Sequence, residues 1–354
     1  MKRVLIKCDY GHKIGMGHLS RCISIAREIQ KSGHEPIFIA NRQNQFFLVK
    51  HDLQYISLDN NENDLTTEAD NINSVIEHIS PDCVLIDSHN VSYSYLKRIE
   101  EACPVAYIED ELKNAYPVHL LINGHIYARR SDYQRLYSLQ GIRLPQLLLG
   151  PKYMPLNESY SQHFARRGFG DQVETTLIFL AGGSDPEHVT VKLLKYINSL
   201  AASLPYKLLV IVGVLNEDYE EIETLAKGNT RLTVYCGESD FKNIFSKVDI
   251  AVSAAGITLY ELAACGVPTI AYSLADNQII VGKAFQKKGI CKYIGDVRND
   301  KNFFRRLFSE LEILMGNCDA QIEMSKNGLN TVDGKGCIRV ANELASNWDF
   351  IIGE

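Results

Sequence analysis

The chain reads as an α/β protein of two doubly wound, Rossmann-like domains facing each other across a cleft. Two observations carry that reading. A short apolar run, a glycine turn and a helical pattern follow one another at the head of each half, first from Val4 and again from Thr176. Between and after these units, short apolar runs keep alternating with helical segments, which argues for parallel sheets covered on both faces. A length of 354 residues suits two domains of ordinary size. The expected domains are residues 1–155 and 156–354, with terminal helices able to pack back on the first.

Residues 3–7 read as a buried strand, followed by the glycine loop Ile14-Gly15-Met16-Gly17-His18-Leu19-Ser20-Arg21. Leu19, Ile23, Ala26 and Ile29 then recur at helical spacing and mark one buried face, which Gly33 ends. Strands follow at 36–39, 83–87, 105–108 and 119–123, with an Asn/Asp/Glu-rich loop entering a helix at 59–74. Asp87, Glu109, Asp110 and Asn123 fall at carboxyl ends of strands, where open parallel sheets bind ligands. Irregular sequence at 150–174 reads as the interdomain linker. The second half offers a strand at 176–180, the turn Ala181-Gly182-Gly183-Ser184-Asp185-Pro186 and a helix at 187–203. Strands at 208–212, 231–235, 249–252 and 269–272 come next, and the last 50 or so residues look mainly helical.

Composition bounds the function. Hydrophobic residues make up 45% and charged residues 23%, as in soluble globular proteins, and the net charge of −6 argues against general affinity for nucleic acid or acidic membrane. The nine scattered cysteines show no zinc-knuckle spacing and read as buried reduced thiols. Lys7 and Asp9 interrupt the only apolar run near the N-terminus, and no segment approaches the roughly 20 apolar residues of a membrane span. A cytoplasmic protein without stable membrane insertion is expected.

The first loop lacks the third glycine of a dinucleotide fingerprint, since Gly15 and Gly17 are followed by Ser20, and no P-loop occurs. Glycines still let backbone approach a phosphate, and helix-opening amides point at it. His18 stands at the mouth of that helix. One reading is a simple cap or a solvated side chain. The other is a base, because the positive potential of a helix N-terminus favours the neutral imidazole that can take a proton from water. In the second half, Ser253 to Ile270 opens a helix at Gly256 and closes it at Gly266. Gly256 can admit a phosphate, and Glu261, one turn on, can accept both hydroxyls of a ribose or simply face solvent. Asn277 and Gln278 offer amides suited to sugar hydroxyls or acetamido groups.

The segment 253–278 resembles the nucleotide-sugar half of the GT-B fold, especially the peptidoglycan N-acetylglucosaminyltransferase. The pattern Asp9…Ile14-Gly15-Met16-Gly17-His18-Leu19-Ser20-Arg21 resembles more specifically the UDP-sugar hydrolases of pseudaminic acid biosynthesis, which cleave UDP-2,4-diacetamido-2,4,6-trideoxy-β-L-altropyranose. Further matches are Leu85-Ile86-Asp87-Ser88, Ile108-Glu109-Asp110-Glu111, Leu121-Ile122-Asn123, Gly150-Pro151-Lys152-Tyr153, Ala181-Gly182-Gly183-Ser184-Asp185 and Val332-Asp333-Gly334-Lys335-Gly336, so the resemblance spans nearly the whole chain. Enzymes of spore-coat and other surface-polysaccharide pathways share the pattern. The chain departs from the family at His89, where tyrosine is usual, and at Met154 to Asn157, where an arginine is common.

The resemblance implies a GT-B-like fold, with His18 as general base and residues around 253–261 holding UDP. Gly15, Gly17, Asp87, His89, Gly183, Ser184, Ser253, Gly256, Glu261, Asn277 and Gln278 are the candidate substrate-binding residues. The expected reaction is hydrolysis at the anomeric carbon, inverting and with C–O cleavage, and without metal or other cofactor. UDP leaves readily as an anion, so a single base suffices where ordinary glycosidases need two carboxyl groups. Helix N-termini at Gly17, Gly183 and Gly256 are expected to receive the departing charge. UDP then sits against the second half, and the first loop carries His18 to the sugar from across the cleft. Glycosyl transfer to an acceptor hydroxyl, and nucleotide-sugar binding without turnover, are the competing readings. Besides the UDP-sugar, neighbouring pathway enzymes are the partners to expect, and nucleic acid is not.

Overall fold

In the computed structural model of the chain, β1 (Arg3–Cys8) is an interior strand of a seven-stranded parallel sheet. The structure describes residues 1–10, 17–41, 44–58, 64–161, 174–200, 203–237, 241–298 and 300–346. Gly15 and most of the first glycine loop lie outside them. The chain forms two units, Met1–Glu158 with Lys335–Glu354, and Ser159–Gly334.

In the first unit, β2 (Glu35–Ala40) and β3 (Gln54–Ser57) flank β1 on one side. On the other lie β4 (Cys83–Asp87), β5 (Val105–Ile108), β6 (Leu120–Asn123) and β7 (Gln146–Leu149), giving the order β3-β2-β1-β4-β5-β6-β7. Successive β1 side chains alternate between faces. Val4 and Ile6 join a layer with Leu19, Cys22, Ile23, Ala26 and Ile29 of the helix Gly17–Lys31, while Leu5 joins Ile72, Val75 and Ile76 of the helix Leu65–Ile79. A fully buried aliphatic side chain contributes about 2 kcal/mol and a hydrogen bond about 1. Leu19, Ile23 and Ile29 together therefore hold the first helix more firmly than any single uncharged hydrogen bond along it. The helix stops where Gly33 takes φ +79°, with the His34 amide donating back to the Ile29 carbonyl. A second helix on that layer comes from far along the sequence: Gly336–Ala345 adds Cys337, Val340, Ala341 and Leu344 to the same core. A Cβ on Gly336 would stand 2.0 Å from the Met154 carbonyl oxygen, so glycine is needed where this helix starts.

The second unit repeats the plan. β8 (Thr176–Leu180), β9 (Lys207–Val212), β10 (Leu232–Cys236), β11 (Ile250–Ala254), β12 (Thr269–Ser273) and β13 (Cys291–Asp296) form a parallel sheet in the order β10-β9-β8-β11-β12-β13. Its core joins Phe179, Val210, Val252 and Tyr272 to Val189, Leu193 and Leu194 of the helix Val189–Asn198. That helix starts two residues later than its sequence pattern suggests. Asp185 is the reason: it turns back in a left-handed conformation and accepts the amides of Val189 and Thr190.

Three strands, β3, β7 and β13, go unseen in the sequence, and all three are sheet edges. Although β7 carries a continuous apolar run at Leu147-Leu148-Leu149, an edge strand is covered on fewer sides and does not need one. Gln54–Ser57 shows this, with three exposed residues and one half-buried.

Each sheet reverses its strand order once, between β1 and β4 in the first and between β8 and β11 in the second. Doubly wound sheets bind ligands beyond the carboxyl ends of strands at that reversal. His18 follows β1 and Asp87 ends β4, whereas Gly183 follows β8 and Gly256 follows β11. These residues thus lie at the switch point of each sheet, whereas Asn277 and Gln278 follow β12.

Candidate functional site

In the first unit the site grows from strand register. Cys8 of β1 pairs with Asp87 of β4, which brings the end of β4 beside the start of the helix after β1. His18 and Arg21 are three residues apart on that helix and share a face. Both turn to Asp87, which is completely buried. His18 Nδ1 lies 2.6 Å from Asp87 Oδ1, and Arg21 Nε donates to Asp87 Oδ2 at 2.6 Å while Nη2 donates to Oδ1. Arg21 also grips Asp110, beyond β5, through Nη1 at 3.2 Å and Nη2 at 2.8 Å. His125 Nε2 approaches the same carboxylate at 3.3 Å, and its ring stacks on Tyr127, with centroids 5.1 Å apart.

Burial alone would push the Asp87 carboxyl up. The charge and hydrogen bonds of Arg21, with the hydrogen bond to His18, outweigh it and hold Asp87 below the usual carboxylate range. Asp110 is held well below that range, again against burial, by Arg21 and His125. Asp87 is therefore an acceptor only, and the proton in its 2.6 Å contact belongs to His18 Nδ1. In the neutral ring this leaves the lone pair on Nε2, for which the described residues offer no hydrogen-bond partner. That is the tautomer a histidine base requires.

His89 follows the same strand. It is exposed, and its ring stands edge-on to that of His18, centroids 4.6 Å apart. Its backbone is tied down by Asp9, which accepts the His89 amide at 3.1 Å and the Ser88 hydroxyl at 2.7 Å. Gly17 opens the helix that bears His18. Glu109 and Asn123, although at strand ends, serve their own loops: Glu109 accepts the amides of Glu111 and Leu112, and both residues hydrogen-bond the Tyr133 hydroxyl.

The second unit gathers its residues at two turns. Gly183 and Ser184 lie exposed between β8 and the helix Val189–Asn198. The helix amides expected there for an anion are already spent on Asp185, so the turn presents its own backbone and the Ser184 side chain instead. A close approach shapes the turn, because a Cβ on Gly213 would meet the Gly183 carbonyl oxygen at 2.1 Å. The other turn keeps its amides open. Gly256 caps the helix Ile257–Ala264 without any side-chain cap, and the amides of Ile257 and Thr258 have no partner among the described residues. Ser253 is buried and donates to the Ala254 carbonyl.

Glu261 is half-buried one turn into that helix. Burial pushes its carboxyl up to about 7, against an opposing hydrogen bond from Tyr160. Asn277 and Gln278 open the helix Asp276–Lys287. Asn277 is exposed, while Gln278 Oε1 accepts the Leu274 amide at 3.0 Å. The Gln278 side-chain nitrogen would stand 3.9 Å from a Cβ on Gly256, so it borders the open helix start.

Sequence reasoning gave no role to Arg21 or His125. The i, i+3 spacing of His18 and Arg21 was the available signal for the first. For His125 there was none, since it meets Asp110 only through the sheet order. Among the described residues no group of three or more His, Cys, Asp or Glu side chains could hold a metal ion, and no helix is long and apolar enough to cross a membrane.

Two tandem parallel sheets, each doubly wound and each presenting a candidate cluster at its switch point, define a GT-B-like α/β protein. No family model matches the chain. It is 24% identical over 344 residues to the spore coat polysaccharide biosynthesis protein SpsG of Bacillus subtilis, covering 95% of each chain. It is 26% identical over 294 residues to the pseudaminic acid cytidylyltransferase and UDP-2,4-diacetamido-2,4,6-trideoxy-beta-L-altropyranose hydrolase of Helicobacter pylori, covering 82% of this chain and 48% of that protein. Among solved structures, MurG of Acinetobacter baumannii superposes with a TM-score of 0.67 at 13% identity, covering 97% of this chain and 99% of the other. A glycosyltransferase from Rickettsia africae superposes with a TM-score of 0.64 at 13% identity, covering 98% and 99%. These likenesses establish the fold.

Proposed function

We propose that the protein hydrolyses a UDP-linked diacetamido-trideoxy-hexose at its anomeric carbon, in the biosynthesis of a nonulosonic acid or related surface polysaccharide. The observation that carries this is the 2.6 Å contact of His18 Nδ1 with a buried, ionised Asp87. It leaves His18 Nε2 as the base. Nε2 takes a proton from water, the water oxygen bonds to the anomeric carbon, and the C–O bond to the diphosphate breaks with its electron pair going to UDP. Attack opposite the leaving group inverts the configuration. General-base catalysis of this kind usually contributes about 10²–10⁴-fold. In this reading the second unit holds UDP: the open amides of Ile257 and Thr258 receive diphosphate charge, Glu261 the ribose hydroxyls, and Gly183 with Ser184 the remaining phosphate oxygens. On the second unit Asn277 and Gln278 offer amides to sugar hydroxyls or acetamido groups, and on the first His89 offers its ring beside His18. The likeness to the Helicobacter pylori protein, whose name includes this hydrolase, supports the substrate class.

The test is to offer a panel of UDP-linked diacetamido-trideoxy sugars in ¹⁸O-water and follow UDP and free sugar by NMR and mass spectrometry. The label is expected in the sugar, and His18→Ala is expected to bind without turnover. Absence of UDP release across the panel would count against hydrolysis. Transfer to an acceptor hydroxyl is the second reading, favoured by the superposition on the Rickettsia africae glycosyltransferase. It predicts UDP release only when an acceptor is present.

A further inference from the structure

We propose that Arg21 is a positioning residue that sets the tautomer of His18, by holding both oxygens of Asp87 while braced against Asp110. The donor count leads there. Arg21 Nη2 carries two hydrogens, and its two carboxylate partners, Asp87 Oδ1 and Asp110 Oδ2, use both. The 3.2 Å contact of Nη2 with His18 Nδ1 is then not a donation to the ring, so Nδ1 is free to donate to Asp87.

Without the guanidinium, Asp87 would be a fully buried carboxyl beside an imidazole. Burial favours its neutral form, and a protonated Asp87 would donate to Nδ1 and force the ring proton onto Nε2. The base would be lost with every catalytic atom still in place. Asp110 completes the device, because it offers two more acceptors that fix the plane of the fork. Arg21 with two carboxylates sums to −1, so a proton gained at His18 brings the cluster to neutrality. Among the described residues, other polar groups facing the cluster are the Cys22 thiol, 3.4 Å from Asp87 Oδ2, His89 at the His18 ring, His125 at Asp110, and the Tyr107 and Tyr127 hydroxyls.

The catalytic consequence rests on the hydrolase reading, whereas the tautomer does not, so the test begins without ligand. Long-range ¹H–¹⁵N correlation of labelled protein at neutral pH should show His18 with a protonated Nδ1 and a bare Nε2, its signals identified by their loss in His18→Gln. Arg21→Gln should lose that pattern, and kcat for the UDP-sugar should fall about 10²-fold with KM little changed. Arg21→Lys, which keeps the charge without the fork, should recover part of both. If Arg21→Gln does not fold, Arg21→Gln with Asp110→Asn removes the stranded partner charge, and the same loss of pattern is expected. A folded Arg21→Gln or double variant with the wild-type His18 signals overturns the inference, as does a wild type protonated on Nε2. A changed tautomer in a protein that hydrolyses no UDP-sugar sustains the role of Arg21 and removes the hydrolase reading.

Discussion

Lys7 Nζ and Asp9 Oδ1 stand 2.8 Å apart at the end of β1, with little of either side chain exposed. Lys7 also reaches Glu68 at 3.2 Å, and the second oxygen of Asp9 anchors Ser88 and His89. The ion pair therefore fixes the residues beyond β4, as Arg21 fixes the carboxylate at its end. Lys7→Met would leave Asp9 and Glu68 without their shared cation. Removing one partner of a buried pair costs about 3 kcal/mol, and urea unfolding at pH 7 should show a loss of that size. Lys7→Arg should lose clearly less.

The depressed carboxyls of Asp87 and Asp110 make the first unit acid-sensitive. A group whose folded value lies below its unfolded one adds stability that is full above the unfolded value, near 3.8. That stability is lost as the pH falls through the folded value. The contribution of these two carboxyls should be constant from pH 7 to 5, and urea midpoints should drop steeply below 4. Asp110→Asn should flatten the drop while lowering the plateau.

Glu261 carries the opposite sign. Its carboxyl lies at about 7 in the folded protein, above its ordinary 4.5, so the folded state binds the extra proton and stability declines as the pH rises between those values. Hydrogen bonds donated by a ribose would favour the ionised form. UDP binding near pH 6.5 should therefore release a proton, seen in calorimetry as a dependence of the heat on buffer ionisation. Glu261→Gln should abolish the release and weaken UDP at least tenfold, about 1.4 kcal/mol.

Two glycines allow ligand contact to be separated from folding. A Cβ on Gly183 meets no heavy atom within 4 Å, and one on Gly256 meets only the Gln278 side chain, at 3.9 Å. Gly183→Ala and Gly256→Ala should leave stability within about 0.5 kcal/mol and weaken UDP binding. Gly213→Ala instead drives a Cβ into the Gly183 carbonyl and should cost about 1–3 kcal/mol.

The sequence made the fold class legible because both interior β1 and β8, with their glycine turns, carry uninterrupted apolar runs. Edge strands β3 and β13 escaped because one-sided cover asks less of their residues, a reason that does not extend to β7 with its run Leu147-Leu148-Leu149. His18 and Asp87 were each visible as singular residues at element ends, yet their contact was not, since it depends on β4 pairing with β1 rather than with a strand nearer in sequence. Arg21 was hidden for a related reason. Its role follows from Asp110, 89 residues away, which no local pattern connects to it. The capping of the helix Val189–Asn198 by Asp185 shows the converse limit, as a glycine turn before a helix does not tell which group already occupies its amides.

The helix Gly336–Ala345 packs on the helix that carries His18, although the whole second unit lies between them in the chain. During synthesis the ribosome therefore delivers the first sheet, then all of the second unit, and only afterwards the segment that closes the first core. Cys22, Ile23 and Ala26 wait with an unfinished apolar face until then. The unit whose residues emerge first is the one completed last, and a chain interrupted between Gly334 and Cys337 would carry His18 on a helix that lacks its packing partner.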